Sequence, residues 1–345
     1  MKLNWRMLSK YRSQLYGFSI LWITLFHVFE INSDKMNYPW VSSLILKNGG
    51  IGVDIFLFLS GISLYFSMKK LYAKYDDLDK KKIFKEFYKR RFSKILKVYI
   101  CVCIPYFIIR YFIFALNWMS FVKQIFFCMN KVGMFWFLGC IMLCYFIYPY
   151  IYYFMERDQK KIIYILVCVY VLMLFMILIL YPKFYYRVEI LFSRIPIFII
   201  GCLIGEKVYN SEEINTYFLL FMLLLLMTKG PVYYALNHWG YYGHIASLVG
   251  RLFRGALGVG TIFFIIIMLP YFENTFINKF LCYVGSFTLE MYVVHIIIRD
   301  ALIVGVHLEL TSQSQVLLYT IIYLLASIIC SNILNQILNP KRKIQ

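Results

Sequence analysis

His27 and Glu30 are the residues whose types and spacing could do chemistry. They stand three residues apart in LYGFSILWITLFHVFE, Leu15 to Glu30, a stretch otherwise almost wholly apolar. On a helix that spacing puts both side chains on one face. A hydroxyl is a poor nucleophile near neutral pH and needs a base within hydrogen-bond reach. Imidazole titrates in that range and can take the proton. A carboxylate beside it can orient the ring and hold the imidazolium, as the third member of a catalytic triad does. The competing reading is a histidine that only satisfies a contact between helices. The run from Phe18 to Phe29 predicts a membrane-buried helix. An ionisable ring at that depth is costly and tends to face the protein interior or a wet cavity, which favours function.

A second group is cationic. The segment KKLYAKYDDLDKKKIFKEFYKRRFSKILK, Lys69 to Lys97, spaces Ile83, Phe84, Phe87, Tyr88, Phe92 and Ile95 at helical intervals with cations between them. This predicts a basic amphipathic helix at the cytoplasmic interface. It is either a membrane anchor or a phosphate site, since adjacent Arg90 and Arg91 can fork onto phosphate oxygens.

Other polar groups in apolar surroundings are weighed in the same way. Asp54 either bonds backbone at a helix start or touches substrate. Ser60 and Gly61 favour close helix approach over catalysis. Glu290 and His295 either line an acceptor cavity or pair with their neighbours, and His295 and Arg299 share a face.

These groups need a scaffold, and composition says which. Of 345 residues, 62% are hydrophobic and 15% charged, with a mean hydropathy of +0.70. Soluble domains are about half apolar and about a quarter charged. The chain is therefore read as an all-α integral membrane protein forming one domain over residues 1–345. Ten spans are expected, at 15–31, 50–68, 95–116, 134–154, 161–181, 190–208, 214–229, 249–270, 280–299 and 315–338. The basic amphipathic helix falls between the second and third. The sixth contains Pro196, tolerated where neighbours satisfy the freed carbonyl.

The net charge is +19, gathered in short segments beside apolar runs. The positive-inside rule explains that distribution better than nucleic-acid binding does. Basic clusters at the head (Lys2, Arg6, Lys10, Arg12), after the second span, near Arg157 and at the tail (Lys341, Arg342, Lys343) put both termini in the cytoplasm. A retained signal-anchor is expected at the head, since no small-residue cleavage site follows. The nine cysteines form no C-x-x-C pair. No His/Cys spacing suits a metal, so no metal is expected.

Six stretches resemble, in order, the membrane acyltransferase-3 family. LYGFSILWITLFHV (Leu15 to Val28) is similar to its first helix, which ends on an essential histidine, here His27. GGIGVDIFLFLSG (Gly49 to Gly61) resembles the glycine-rich start followed by F-F-x-x-S-G. FYKRRFSKIL (Phe87 to Leu96) resembles the R-R-x-x-R-I element. FWFLGCIMLCYFIYP (Phe135 to Pro149), RIPIFIIGCLIGE (Arg194 to Glu206) and YVGSFTLEMYVVH (Tyr283 to His295) resemble three later helices. Three departures stand out. The family's arginine eleven residues before the histidine is Tyr16 here, with Arg12 one turn earlier. The third arginine of R-R-x-x-R is Lys94, and F-F-x-x-S-G loses one Phe in the run Ile55-Phe56-Leu57-Phe58-Leu59-Ser60-Gly61.

The resemblance implies an O-acyltransferase, most simply an O-acetyltransferase, with no bound cofactor. Its donor substrate would be acetyl-CoA or another acyl-CoA. The acceptor would be a hydroxyl of a surface or capsular polysaccharide, or of a lipid-linked oligosaccharide. His27 and Glu30 would be catalytic. Arg90, Arg91 and Lys94, with Arg12 and Tyr16, would bind the donor. Asp54, Ser60, Glu290 and His295 would meet substrate. His27 lies about 18 Å above the start of its span, at about 1.5 Å per residue, a distance a thioester arm could cover. Other partners are membrane lipids, and nucleic acid is excluded. The alternatives are a transporter or flippase of a lipid-linked glycan, and a glycan polymerase. A transporter often shows paired repeats or broken helices in matching halves, and none is visible in the sequence. A polymerase should carry a large charged outer loop, which is also missing.

Overall fold

Apolar residues at helical spacing become helices, and short polar residues mark where several begin. Asp79, Thr275 and Ser312 each accept a hydrogen bond from the backbone N–H three residues on. Such caps satisfy donors that the first turn leaves without partners. At Ser312 the Gln315 side chain bonds back, completing a capping box.

The computed structural model of the chain describes residues 3–32, 45–75, 79–113, 117–125, 135–175, 190–222, 224, 243–302 and 312–340. The principal helices are α1 (Arg12–Asn32), α2 (Ile51–Lys74), α3 (Lys80–Ile113), α4 (Trp136–Met155), α5 (Gln159–Phe175), α6 (Ile195–Tyr209), α7 (Gly243–Met268), α8 (Phe276–Gly285), α9 (Thr288–Asp300) and α10 (Gln313–Leu338). Among the described residues there are no strands beyond an isolated bridge between Asn4 and Glu213.

Against the ten spans read from the sequence, five helices among the described residues are long and apolar enough to cross a bilayer. They become six if α8 and α9 count as one. Residues 114–116, 134, 176–181, 223 and 225–229 of the expected spans lie outside the described residues.

The pattern of burial is that of a membrane protein. On α10 the apolar residues Leu317, Ile321, Leu325, Ile329, Ile333 and Ile337 are all exposed. Ser327, Ser331 and Asn335 are buried on the opposite side. A helix in water does the reverse, whereas lipid accepts the apolar stripe and leaves polar groups to the interior.

Three features differ from the sequence reading. From Lys80 on, the basic segment runs into the expected third span as one continuous 34-residue helix to Ile113, joined through a π-helical turn at Tyr99–Cys103. At about 1.5 Å per residue α3 exceeds a hydrocarbon core of about 30 Å, so part of it must project beyond the core. Pro196 does not lie inside the sixth helix, because α6 begins at Ile195 and the proline sits in its first turn, where a missing N–H costs nothing. The expected ninth span is broken. Helices α8 and α9 meet at an angle of 82° across Ser286 and Phe287, which corrects the reading of 280–299 as one continuous span.

Glycines set the closest helix contacts. A Cβ on Gly285 would lie 1.9 Å from the Ser13 carbonyl oxygen, and one on Gly17 would lie 2.0 Å from that of Leu281. Only bare backbones let α1 and α8 cross so closely. Gly61 on α2 and Gly201 on α6 do the same for the contact between those helices. Lipid supplies no hydrophobic drive between helices, so this tight packing is what holds them together.

At the head of the chain, Tyr11 donates to Glu273 Oε1 at 2.6 Å, and Lys10 Nζ lies 2.5 Å from the same oxygen. This latch ties the start of α1 to the turn before α8. The Lys10 ammonium first, and then the Tyr11 hydroxyl, hold the Glu273 carboxyl below its ordinary range.

Candidate active site

A cavity of about 860 Å³ opens between α1, α2, α3, α4 and the α8–α9 break, with Asn335 of α10 on its wall. One part is cationic. Arg12 comes from α1, Arg90, Arg91 and Lys94 from two adjacent turns of α3, and Lys279 from α8. No carboxylate lines the cavity. Arg90 is engaged on its own helix, where its Nε donates to Glu86 Oε1 at 2.7 Å. The Arg91 guanidinium lies over the rings of Phe87 and Tyr145, at 6.0 and 5.9 Å.

The other part is apolar. Along α1 the lining runs from Arg12 through Tyr16 to Ile23, and along antiparallel α2 from Ser63 through Ser60 and Phe56 to Val53. Tyr16 stacks on Phe56 at 5.2 Å, Phe56 meets Phe137 at 6.0 Å, and Phe137 meets Tyr292 at 5.1 Å. From Arg12 to Ile23 the lining extends about 16 Å along α1 at about 1.5 Å per residue.

One turn beyond Ile23 stands His27. It does not line the cavity, though 18% of its side chain is accessible. Its Nδ1 lies 3.0 Å from Glu30 Oε2 and 2.7 Å from Arg299 Nη1. Arg299 also lies 3.5 Å from Glu30 Oε2. The ring of His27 stacks on that of His295 with centroids 5.4 Å apart. His295 is wholly buried, and its Nδ1 bonds the Met291 carbonyl at 2.7 Å. Its Nε2 has no hydrogen-bond partner among the described residues. The cavity and this cluster share a wall, since Tyr292 lines the one and touches the ring of His295 at 5.7 Å in the other.

The structure therefore sorts the residues singled out from the sequence into groups. Arg12, Tyr16, Ser60, Arg90, Arg91 and Lys94 share the cavity. His27, Glu30 and His295 form a cluster one turn past its apolar end. Asp54 lies in neither. It forms a buried ion pair with Arg194, Nε to Oδ1 3.1 Å. That guanidinium also donates to the Ile190 carbonyl at 3.1 Å and sits 4.7 Å over the Trp136 ring. A buried charge needs such a partner, so Asp54 joins α2 to the start of α6. Glu290 is wholly buried beside the cavity. Its Oε1 accepts from Asn339 Nδ2 at 3.3 Å, and Asn339 also donates to Asn335 at 3.1 Å.

Sequence reasoning missed Lys279, Asn335 and Arg194, and saw Arg299 only as a neighbour of His295. A signal for the break was present: Gly285 and Ser286, two small residues, interrupt an otherwise apolar run. Among the described residues no group of three or more His, Cys, Asp or Glu could hold a metal.

Fold and site define a helical membrane protein with a cationic cavity leading toward a paired histidine. The family model described as "Acyltransferase domain" matches residues 15–335, nearly the whole chain. The chain belongs to this acyltransferase-3 family and is a membrane acyltransferase. No curated protein and no solved structure matches it.

Proposed function

We propose that the chain transfers an acyl group, acetyl in the simplest case, from a cytoplasmic acyl-CoA to a hydroxyl of an extracytoplasmic or lipid-linked glycan. One observation carries this reading: the cavity is cationic where an anionic donor would bind and apolar where it approaches His27. Arg12, Arg90, Arg91, Lys94 and Lys279 suit the phosphates of coenzyme A, as charge-assisted bonds to phosphate oxygens. The narrow thioester arm suits the stretch from Tyr16 to Ile23. Ten spans with both termini cytoplasmic, in one domain, would put the basic half of α3 on the donor's side.

In this reading Glu30 holds the hydrogen on His27 Nδ1, so that Nε2 takes the proton of the attacking hydroxyl. The oxygen adds to the thioester carbonyl and the carbon–sulfur bond breaks. The proton on His27 then goes to the departing thiolate. His295, with its bare inward nitrogen, suits the acceptor hydroxyl. The layer of Ile23, Phe56, Phe137 and Tyr292 must part for the arm to reach the ring.

The test supplies labelled acetyl-CoA to inverted membrane vesicles that carry the protein and its lipid-linked glycan. Label should appear in the glycan as an ester released by mild base. The broken α8–α9 pair favours a second reading, a transporter or flippase, since such breaks line transport sites. Glycan that crosses the membrane without gaining label would establish that reading and end the first.

A further inference from the structure

Two groups compete for one ring nitrogen. His27 Nδ1 lies 2.7 Å from Arg299 Nη1 and 3.0 Å from Glu30 Oε2. A guanidinium can only donate and an ionised carboxylate can only accept. With a hydrogen, Nδ1 bonds Glu30 and collides with the guanidinium. Without one, it accepts from Arg299 and faces the lone pairs of the carboxylate. Both contacts cannot be favourable at once.

Accessibility decides which group gives way. The Glu30 side chain is 55% exposed and stands near the end of α1, so it has room to turn away from the ring. That of Arg299 is 23% exposed. Its helix is also pinned at the next residue, where Asp300 accepts from Arg110 Nη1 at 2.9 Å and from the Tyr106 hydroxyl.

We infer that Arg299 sets the tautomer of His27. At rest its guanidinium holds the ring with Nδ1 bare and the hydrogen on Nε2. His27 gains a basic Nε2 only when Arg299 is drawn off Nδ1 toward Glu30, 3.5 Å away. This rests on the reading of His27 as the base. Arg299 meets no reacting atom in that reading and acts as a positioning residue. Among the described residues, the charged and titratable groups that meet the ring are Glu30 on α1 and Arg299 and His295 on α9; behind them stand Tyr292 and Tyr323 at His295 and the pair of Asp300 with Arg110 of α3.

His295 supplies an internal reference. Its Nδ1 faces the Met291 carbonyl, which only accepts, so that nitrogen carries the hydrogen whatever Arg299 does. The Tyr323 hydroxyl donates to the His295 carbonyl at 2.9 Å and steadies the turn.

The test is solid-state NMR of the full chain in lipid bilayers with ¹⁵N-labelled histidine. His27 signals are assigned by their loss in His27→Gln. In the wild type, His27 should show a bare Nδ1 and a protonated Nε2. In Arg299→Met it should switch to a protonated Nδ1, with His295 unchanged, and Arg299→Lys should restore the original form. Glu30→Gln should leave the wild-type pattern in place. A protonated Nδ1 in the wild type overturns the inference, even if Arg299→Met does not fold. So does an unchanged ring in a folded Arg299→Met protein. If the switch occurs while His27→Gln still transfers acyl groups, the tautomer inference stands and the base reading falls.

Discussion

The two ends of α1 make opposite demands on their surroundings. Near Arg12 the site is a collection: cations from three helices face one volume, several are exposed, and no two are bonded to each other in the structure described. Near His27 it is a constellation, in which Glu30, Arg299 and His295 each lie against the one ring. The first arrangement suits binding, where charge adds up and position matters little. The second suits chemistry, where one nitrogen must be at one place in one protonation form. Helix α9 repeats the division, from Thr288 on the cavity wall to Arg299 at the ring.

The largest effect should come from the constellation. His27→Ala should lower kcat for acyl transfer by roughly 10²–10⁴-fold, the usual worth of a positioned base. Donor binding, measured by equilibrium dialysis with labelled acyl-CoA, should be unchanged. Loss of both would break the comparison, because the two ends would then be one site. At the collection end, Arg90→Ala with Arg91→Ala should raise the donor KM roughly tenfold or more, from charge-assisted bonds worth about 1.5–3 kcal/mol each. Their effect on kcat should be small. A fall in kcat with KM unchanged would move these arginines from binding to chemistry.

The smallest effect tests the latch that ties the start of α1 to the turn before α8. The Glu273 carboxyl is held below its ordinary value of 4.5. Its folded-state value is depressed, so its contribution to stability is present above that range and fades as pH falls through the lower value. Glu273→Gln should therefore lower the thermal midpoint slightly at neutral pH and not at all at strongly acidic pH. The pair is exposed, so the difference will be small. An equal difference at both ends of the pH range would remove charge from the explanation.

Several of the candidate residues could be picked out from local sequence, and most of what surrounds them could not. The contact between His27 and Glu30 is set by helical spacing alone. The cations on α3 were visible because Arg90, Arg91 and Lys94 are neighbours in the chain. Arg299 reaching His27, Lys279 joining Arg12, and Arg194 meeting Asp54 all depend on which helices pack together. That in turn depends on the glycine contacts at Gly17, Gly285, Gly61 and Gly201. The break at Ser286 eluded a reading by hydropathy because both halves are apolar, and hydropathy does not register direction.

In the proposed reading, the layer of Ile23, Phe56, Phe137 and Tyr292 would matter to the cell as well as to the reaction. A water-filled passage from the arginines to a titratable ring, and onward past it, would conduct protons and short-circuit the voltage across the bilayer. In that reading a plug of hydrocarbon and aromatic rings would insulate the two compartments and part only for a slender chain, so an idle molecule need not drain the energy of the membrane that holds it.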